Sequence, residues 1–516
     1  MTGAESLLKT ALNSGVSACF ANPGTTEMDL VAALDNTPEM KTVLALFEGV
    51  CTGMADGYGR MTDTPAMTLL HLGVGLGNGI ANIHNARRAQ TPMLNIIGDH
   101  PKDHLKYDAP LTSDIATMAS PVSDFVHTST TAEGVTHDAA QLIAKAKTVP
   151  GNITTLIAPA DCMRGETSVI TDPITPAAPP SVEDDLLKRA VSALEKSGST
   201  TAVIVNGRAL RMEGLEMMSR VSQKTGCTFF TSCLPARTDR GAGFPLIARL
   251  PYFPEAIQER IAPFDHIILI GAYTHPVSFF KYENIPSDLV HEGCAVINLA
   301  QREHDTIEVV RALEEGTNAS SQSPLYTEIK LPDAPTGGVD RKTAGAAIAR
   351  TLPENAIITD CGGTSGGGAF YLTQTANPHT SLFLTGGGIG MGMPCSTGAA
   401  VACPDRPVLA LQSDGAGMYT LQALWTQARE QLNVTTVIFS NHKYQILQIE
   451  LGRAGIEHPG PIATSLTELS NPEIGWVDLA KGMGVPACKP ESAEAFEAAL
   501  KNAYNEPGPH LIVATV

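Results

Sequence analysis

Residues 409–416 read Leu409-Ala410-Leu411-Gln412-Ser413-Asp414-Gly415-Ala416, and residues 440–443 read Ser440-Asn441-His442-Lys443. Each stretch closes an apolar run, 408–412 in the first case and 435–440 in the second, of the length and composition that predict a buried β-strand. Residues 420–431, between them, carry a helical pattern. Strand, helix and strand in that order predict neighbours in a parallel sheet covered on both faces. Ligands of such sheets gather beyond the carboxyl ends of the strands, and Asp414 and Asn441 both stand there. One carboxylate and one amide oxygen suit a hard divalent cation such as Mg2+, which keeps water and takes its other oxygens from a phosphate. Gly415 and the helix start behind it would offer backbone amides to that phosphate. The same spacing also fits a plain strand–turn–helix with Asp414 as a cap and Asn441 in an unrelated turn.

The pattern extends outward. Around these strands, 356–359, 381–385 and 511–516 also read as strands, all within a block at 339–516. A block at 1–170 shows strands at 18–21, 42–47, 66–71, 93–98 and 153–158, with helices at 5–14, from Thr25/Thr26 onward, and at 50–60. A middle block at 186–317 shows strands at 202–206, 227–231, 266–271 and 295–299. Two aperiodic stretches separate the blocks: the proline- and acid-rich 172–185, and 318–338 with one short candidate strand. The expectation is three consecutive doubly wound α/β domains with parallel sheets.

Composition narrows the function. The 516 residues are 43% hydrophobic and 17% charged, which excludes a disordered or coiled-coil chain. A net charge of −18 argues against nucleic acid or an anionic membrane as partner. The low charged fraction also suits large subunit contacts. Ten cysteines without a C-x-x-C pair suit a reducing compartment. The N-terminus has no signal-peptide pattern and no apolar run reaches membrane length, so a cytoplasmic location is expected.

Two further residues sit where strands end. Glu48, in Leu46-Phe47-Glu48-Gly49, stands where a strand hands over to a helix; the helix dipole alone also favours a carboxylate there. His71 ends the strand at 66–71 and precedes a glycine-rich turn at 73–79; a structural histidine is the alternative.

Taken together, these stretches resemble the thiamine diphosphate superfamily. S-D-G followed by S-N-H-K is similar to its G-D-G…N-N motif, and F-E-G to the segment carrying its activating glutamate. Gly387-Gly388-Ile389-Gly390-Met391-Gly392-Met393-Pro394 resembles the segment that wedges an aliphatic side chain beneath the cofactor. Asn22-Pro23-Gly24-Thr25-Thr26-Glu27 and His71-Leu72-Gly73-Val74-Gly75-Leu76-Gly77-Asn78 resemble benzoylformate decarboxylase. The third block is equally similar to acetolactate synthase large subunits. Ser413 and Ser440 depart from the motif but leave Asp414 and Asn441 in place.

The resemblance implies a pyrimidine-binding domain at 1–170, a central domain at 186–317 and a diphosphate- and metal-binding domain at 339–516. It implies that Asp414, Asn441 and the Lys443 carbonyl hold Mg2+. Glu48, Thr364, Ser365, Gly387, Ile389, Gly415, Ala416, Asn441 and Ile446 would contact thiamine diphosphate. Glu48, His71 and Thr25 would be catalytic, Glu48 by activating the cofactor and His71 by moving protons. The implied reaction is decarboxylation of a small-molecule 2-oxo acid, ending in protonation to an aldehyde or in ligation to an aldehyde or a second 2-oxo acid. Ile446 and Leu447 favour a compact aliphatic substrate. The alternative is an acetolactate synthase-type transferase, with a non-catalytic scaffold more remote. A dinucleotide oxidoreductase ranks last, because no G-x-G-x-x-G follows a strand. A second active-site histidine of benzoylformate decarboxylase has no clear counterpart; Lys281 and His275 lie in that region, and His100 and His104 follow the strand at 93–98. Val205-Asn206-Gly207-Arg208 is too little to assign a flavin. The superfamily's pattern also implies a homodimer or homotetramer whose sites are shared between subunits.

Overall fold

The computed structural model describes residues 1–272 and 276–516. Three sheets follow one another along the chain. The first contains β1 (Ala18–Asn22), β2 (Lys41–Leu44), β3 (Ala66–Leu70), β4 (Met93–Asp99), β5 (Phe125–Thr128) and β6 (Ile153–Pro159), ordered β2-β1-β3-β4-β6-β5 and all parallel. β4 and β6 are buried along their whole length, as expected of central strands covered on both faces. The edge strand β5 is largely exposed and mixed in polarity, so its sequence carries no apolar run.

The middle segment supplies β7 (Thr201–Val205), β8 (Thr228–Thr231), β9 (Arg237–Arg240), β10 (Ala248–Arg249), β11 (His266–Ile270) and β12 (Ala295–Ala300). Five of these form the sheet β10-β8-β7-β11-β12. The third sheet uses β13 (Ala356–Cys361), β14 (His379–Phe383), β15 (Val408–Ser413), β16 (Val434–Ser440), β17 (Ala487–Cys488) and β18 (His510–Thr515). Its order is β17-β18-β16-β15-β13-β14-β9. β9 thus leaves its own block and pairs antiparallel with β14, a departure from three self-contained parallel sheets. The Arg-Thr-Asp-Arg strand has too little apolar character to be read from periodicity, and its Asp239 accepts a hydrogen bond from Thr380 at 2.8 Å.

Other expectations also shift. The glycine-rich 73–79 stretch is not a turn: it lies inside a helix, Leu72–Ala89. Thr25 and Thr26 do not cap a helix; they begin a 3-10 turn, Thr25–Glu27, in which the Glu27 carboxylate accepts from the Gly24 amide at 2.7 Å. The helix after Asp414 is split into Asp414–Gly417 and Ala423–Arg429. No strand forms in 318–338; Thr327 there donates to Phe244 O and accepts from Gly243 N without building a ladder.

The first and third segments pack through the helices Glu48–Thr62 and Gly392–Ala402, whose backbones approach so closely that a Cβ on Gly57 would strike the Cys395 carbonyl. Arg60 ties all three segments together. Its guanidinium pairs with Asp56 at 2.6 and 2.8 Å and donates to Ala236 O, Phe383 O and Thr385 Oγ1. Burial opposes its charge, but Asp56 prevails and the guanidinium is held above its ordinary value. Among the described residues no helix is long and apolar enough to cross a membrane.

Candidate active site

Two clusters collect the residues singled out above. In the first segment Glu48 is the first residue of its helix and only 9% exposed. Its Oε2 accepts from Asn78 Nδ2 at 2.9 Å. Its Oε1 faces Gly75, where an added Cβ would lie 2.9 Å away, so the glycine is required for the carboxylate to turn inward. Burial, and then Glu48, push the neighbouring Cys51 thiol well up, which leaves it an inert wall. Asn78 begins a ladder on the Leu72–Ala89 helix. Asn82 Nδ2 donates to Gly49 O at 2.7 Å, and Asn85 Nδ2 donates to Asn82 Oδ1 at 3.0 Å and to Gly388 O at 2.8 Å. Gly388 N returns a bond to Asn85 Oδ1 at 3.1 Å. The ladder ties Glu48 to the turn that carries Gly387 and the half-buried Ile389.

His71 caps the same helix, and its carbonyl accepts from Gly75 N at 2.7 Å. Gly75 therefore places Glu48 and His71 around one backbone position. His71 Nδ1 meets Glu27 Oε2 at 2.8 Å, and Glu27 has no exposed surface. Thr26 Oγ1 donates to Glu27 Oε1 at 2.6 Å and lies 3.4 Å from His71 Nδ1. Thr25 is exposed, so Thr26 is the threonine that touches the histidine. Glu27 was not singled out from sequence, although it ends the quoted N-P-G stretch.

In the third segment Asp414 and Asn441 immediately follow the adjacent parallel strands β15 and β16. Asp414 is 2% exposed. Its Oδ1 accepts from Gly415 N at 2.8 Å; its Oδ2 accepts from His442 N at 2.8 Å, Asn441 N at 3.1 Å and Ser440 Oγ at 3.3 Å. Asn441 Nδ2 donates to Ser365 Oγ at 3.0 Å, and its Oδ1 accepts from Lys443 N at 3.1 Å. Ser365 and Thr364 open the helix Gly363–Leu372. Gly415 and Ala416 form the buried turn after Asp414, and a Cβ on Gly415 would strike the Tyr444 ring. The Tyr444 hydroxyl is pushed up by burial, then by Tyr419 and Asp414. Ile446 lies in the helix Gln445–Arg453, which has no fully buried residue.

The donor set fits the implied groups. All of Asp414's partners are neutral, and among the described residues no basic side chain pairs with it. A buried carboxylate without a counter-charge is costly unless a cation completes it, and carboxylate, amide and carbonyl oxygens are the ligands Mg2+ prefers. No hydrogen bond among the described residues joins this cluster to Glu48 or His71.

The remaining candidates lie apart. Lys281 is exposed and donates to Ile285 O at 2.8 Å; His275 is outside the described residues. His100 contacts Pro110 O at 3.3 Å, and its ring lies tilted against that of His104, with the centroids 5.5 Å apart.

Comparison with known proteins places the chain in a family. Residues 1–121 match the thiamine pyrophosphate enzyme N-terminal TPP binding domain, and residues 360–514 the C-terminal TPP binding domain. The chain is 44% identical to "Putative acetolactate synthase large subunit IlvX" of Mycobacterium tuberculosis, over 100% of this chain and 99% of that protein. It is 26% identical to benzoylformate decarboxylase of Pseudomonas aeruginosa, over 96% of each. The fold matches the thiamine diphosphate-dependent 4-hydroxybenzoylformate decarboxylase of Rhodococcus jostii with a TM-score of 0.85 and 22% identity, covering 100% of this chain and 99% of that one. The chain belongs to the thiamine pyrophosphate enzymes, the family that includes decarboxylases and acetolactate synthases.

Proposed function

We propose that this protein is a thiamine diphosphate- and Mg2+-dependent lyase and carboligase acting on a 2-oxo acid. The observation that carries the reading is the pairing of His71 with the buried carboxylate of Glu27 beside Glu48. An imidazole held by a carboxylate is suited to general acid–base work, which a reaction ending in protonation requires. Thiamine diphosphate, when bound, would supply a nucleophilic carbon and an electron sink for the decarboxylation of a 2-oxo acid. Residues 1–170 would hold its pyrimidine end through Glu48, and 339–516 its diphosphate through Thr364, Ser365, Gly415, Ala416 and Asn441. Gly387, Ile389 and Ile446 would line its body. Asp414, Asn441 and the Lys443 carbonyl would hold Mg2+. Glu48 would hold or release a proton at the aminopyrimidine, and His71 would deliver one to the product carbon.

Each cluster is flanked by exposed apolar side chains, Leu46 and Val74 beside the first and Met418, Tyr419 and Leu447 beside the second. Such surface supports a homodimer, or a tetramer of two dimers, in which the Glu48 cluster of one subunit faces the Asp414 cluster of another. The name of the mycobacterial relative supports the alternative, a transferase joining two 2-oxo acids. Incubation with thiamine diphosphate, Mg2+ and a panel of 2-oxo acids, with and without aldehyde acceptors, separates the two. Aldehyde or hydroxyketone products are expected; acetohydroxy acid as the only product would favour the transferase, and no cofactor-dependent CO2 release would reject both.

A further inference from the structure

Residues 276–289 of the middle segment form a loop closed at its base. Val277 and Asp288 pair in an antiparallel bridge, and Leu289 N donates to Pro276 O at 3.1 Å. Val277, Phe279 and Phe280 are all exposed, Phe279 to 77%. Clustered apolar side chains left in solvent mark a surface that binds something, and two contacts show what this one stands beside.

Phe279 Cε2 lies 3.8 Å from the place a Cβ on Gly387 would take, so its ring edge reaches the turn that carries Ile389. The Tyr282 hydroxyl donates to both Glu450 carboxylate oxygens, at 2.9 and 3.0 Å. Glu450 follows Ile446 by four residues in the helix Gln445–Arg453, so the two share one helical face. Arg453 of that helix lies over the Tyr282 ring, 4.1 Å from its centroid, and pairs with Glu255 at 2.7 Å. The loop therefore spans the Gly387–Ile389 turn and the Ile446 helix, the two stretches proposed above to line the cofactor's body. Tyr252 supports Phe279 from within the middle segment, with ring centroids 6.0 Å apart. Lys281 Nζ is engaged inside the loop, donating to Ile285 O at 2.8 Å. What the loop presents at Gly387 is an aromatic ring without charge or donor.

We propose that Phe279 is a specificity-determining residue, a wall of the substrate cleft that limits the bulk of the group carried on the 2-oxo carbon. The inference rests on the 2-oxo acid reading above. An apolar ring packs against a short alkyl group and gives no partner to a second carboxylate or an ammonium, whose burial beside it would be costly. The accepted acids are then those with small apolar substituents, and removing the ring makes room for larger ones.

Specificity constants of the holoenzyme for 2-oxobutanoate, 2-oxo-4-methylpentanoate and phenylglyoxylate test the wall. Phe279→Ala should raise the ratio of the bulky acids to 2-oxobutanoate about tenfold or more. Phe280→Ala, whose ring meets Tyr282 instead, should leave the ratio unchanged. Phe279→Trp gives a readout that needs no turnover: its emission should change saturably as thiamine diphosphate and Mg2+ are added, beyond the change shown by the native protein with its two tryptophans. An active enzyme whose ratio is unchanged in Phe279→Ala would overturn the proposal, as would an indole that ignores a cofactor shown by calorimetry to bind. An equal fall for every acid with a change in oligomeric state would also overturn it, making Phe279 a subunit contact. A native protein that binds the cofactor yet converts none of the acids would reject the 2-oxo acid reading itself, and this inference with it.

Discussion

His71 Nδ1 lies 2.8 Å from Oε2 of Glu27, a carboxylate shut off from solvent at the end of the first turn after β1. The contact fixes which ring nitrogen faces Glu27 and, in the proposed reaction, leaves Nε2 for the reacting molecule. Glu27→Gln keeps the shape but removes the negative charge that faces the ring when it takes up a proton. Turnover should fall about 10- to 100-fold with cofactor affinity unchanged. Steady-state kinetics beside a cofactor titration checks this; unchanged turnover would make the pair structural.

In the proposed reaction Glu48 and His71 act at different moments, so their variants should separate. Glu48→Gln should slow hydrogen–deuterium exchange at cofactor C2 by several orders of magnitude while binding persists. His71→Ala should leave that exchange near the native rate and lower substrate turnover. If exchange falls equally in both, His71 serves only to hold the local fold.

Asp414 tests the metal. Asp414→Ala removes the one carboxylate of its cluster, so Mg2+-dependent retention of thiamine diphosphate should be lost with the far-ultraviolet circular dichroism intact. Full retention after exhaustive chelation, in the native protein or the variant, contradicts the assignment.

Much of this was legible in the sequence. The apolar runs ending in Asp414 and Asn441 gave adjacent strand ends, because a buried parallel strand announces itself by continuous hydrophobicity. What remained hidden was held by tertiary contacts. Four glycines at 73–79 suggest a turn by local propensity, yet they lie in the Leu72–Ala89 helix, and at Gly73, Gly75 and Gly79 packed neighbours crowd the place of a side chain, as Glu48 does at Gly75. That misreading concealed the ladder of Asn78, Asn82 and Asn85, whose spacing marks one helical face once the helix is known. β9 escaped notice because its partner, β14, lies some 140 residues away, and Glu27 because a buried carboxylate is recognised only with its histidine.

Arg60 gives a stability prediction. Asp56→Ala leaves its guanidinium buried at the junction of all three segments without a counter-charge. Breaking a buried pair from one side costs about 3–5 kcal/mol. Scanning calorimetry of the apoprotein should show a clear fall in the transition temperature; an unchanged transition would mean solvent reaches Arg60.

The central claim is that the Glu48 cluster and the Asp414 cluster of different subunits serve one catalytic centre. Mixing inactive Glu48→Gln with inactive Asp414→Ala, with subunit exchange followed by a mass tag, tests it most directly. A hybrid then contains one centre with both native residues, so partial activity should return. Confirmed exchange with activity still at zero would contradict the claim and place any complete centre within a single chain.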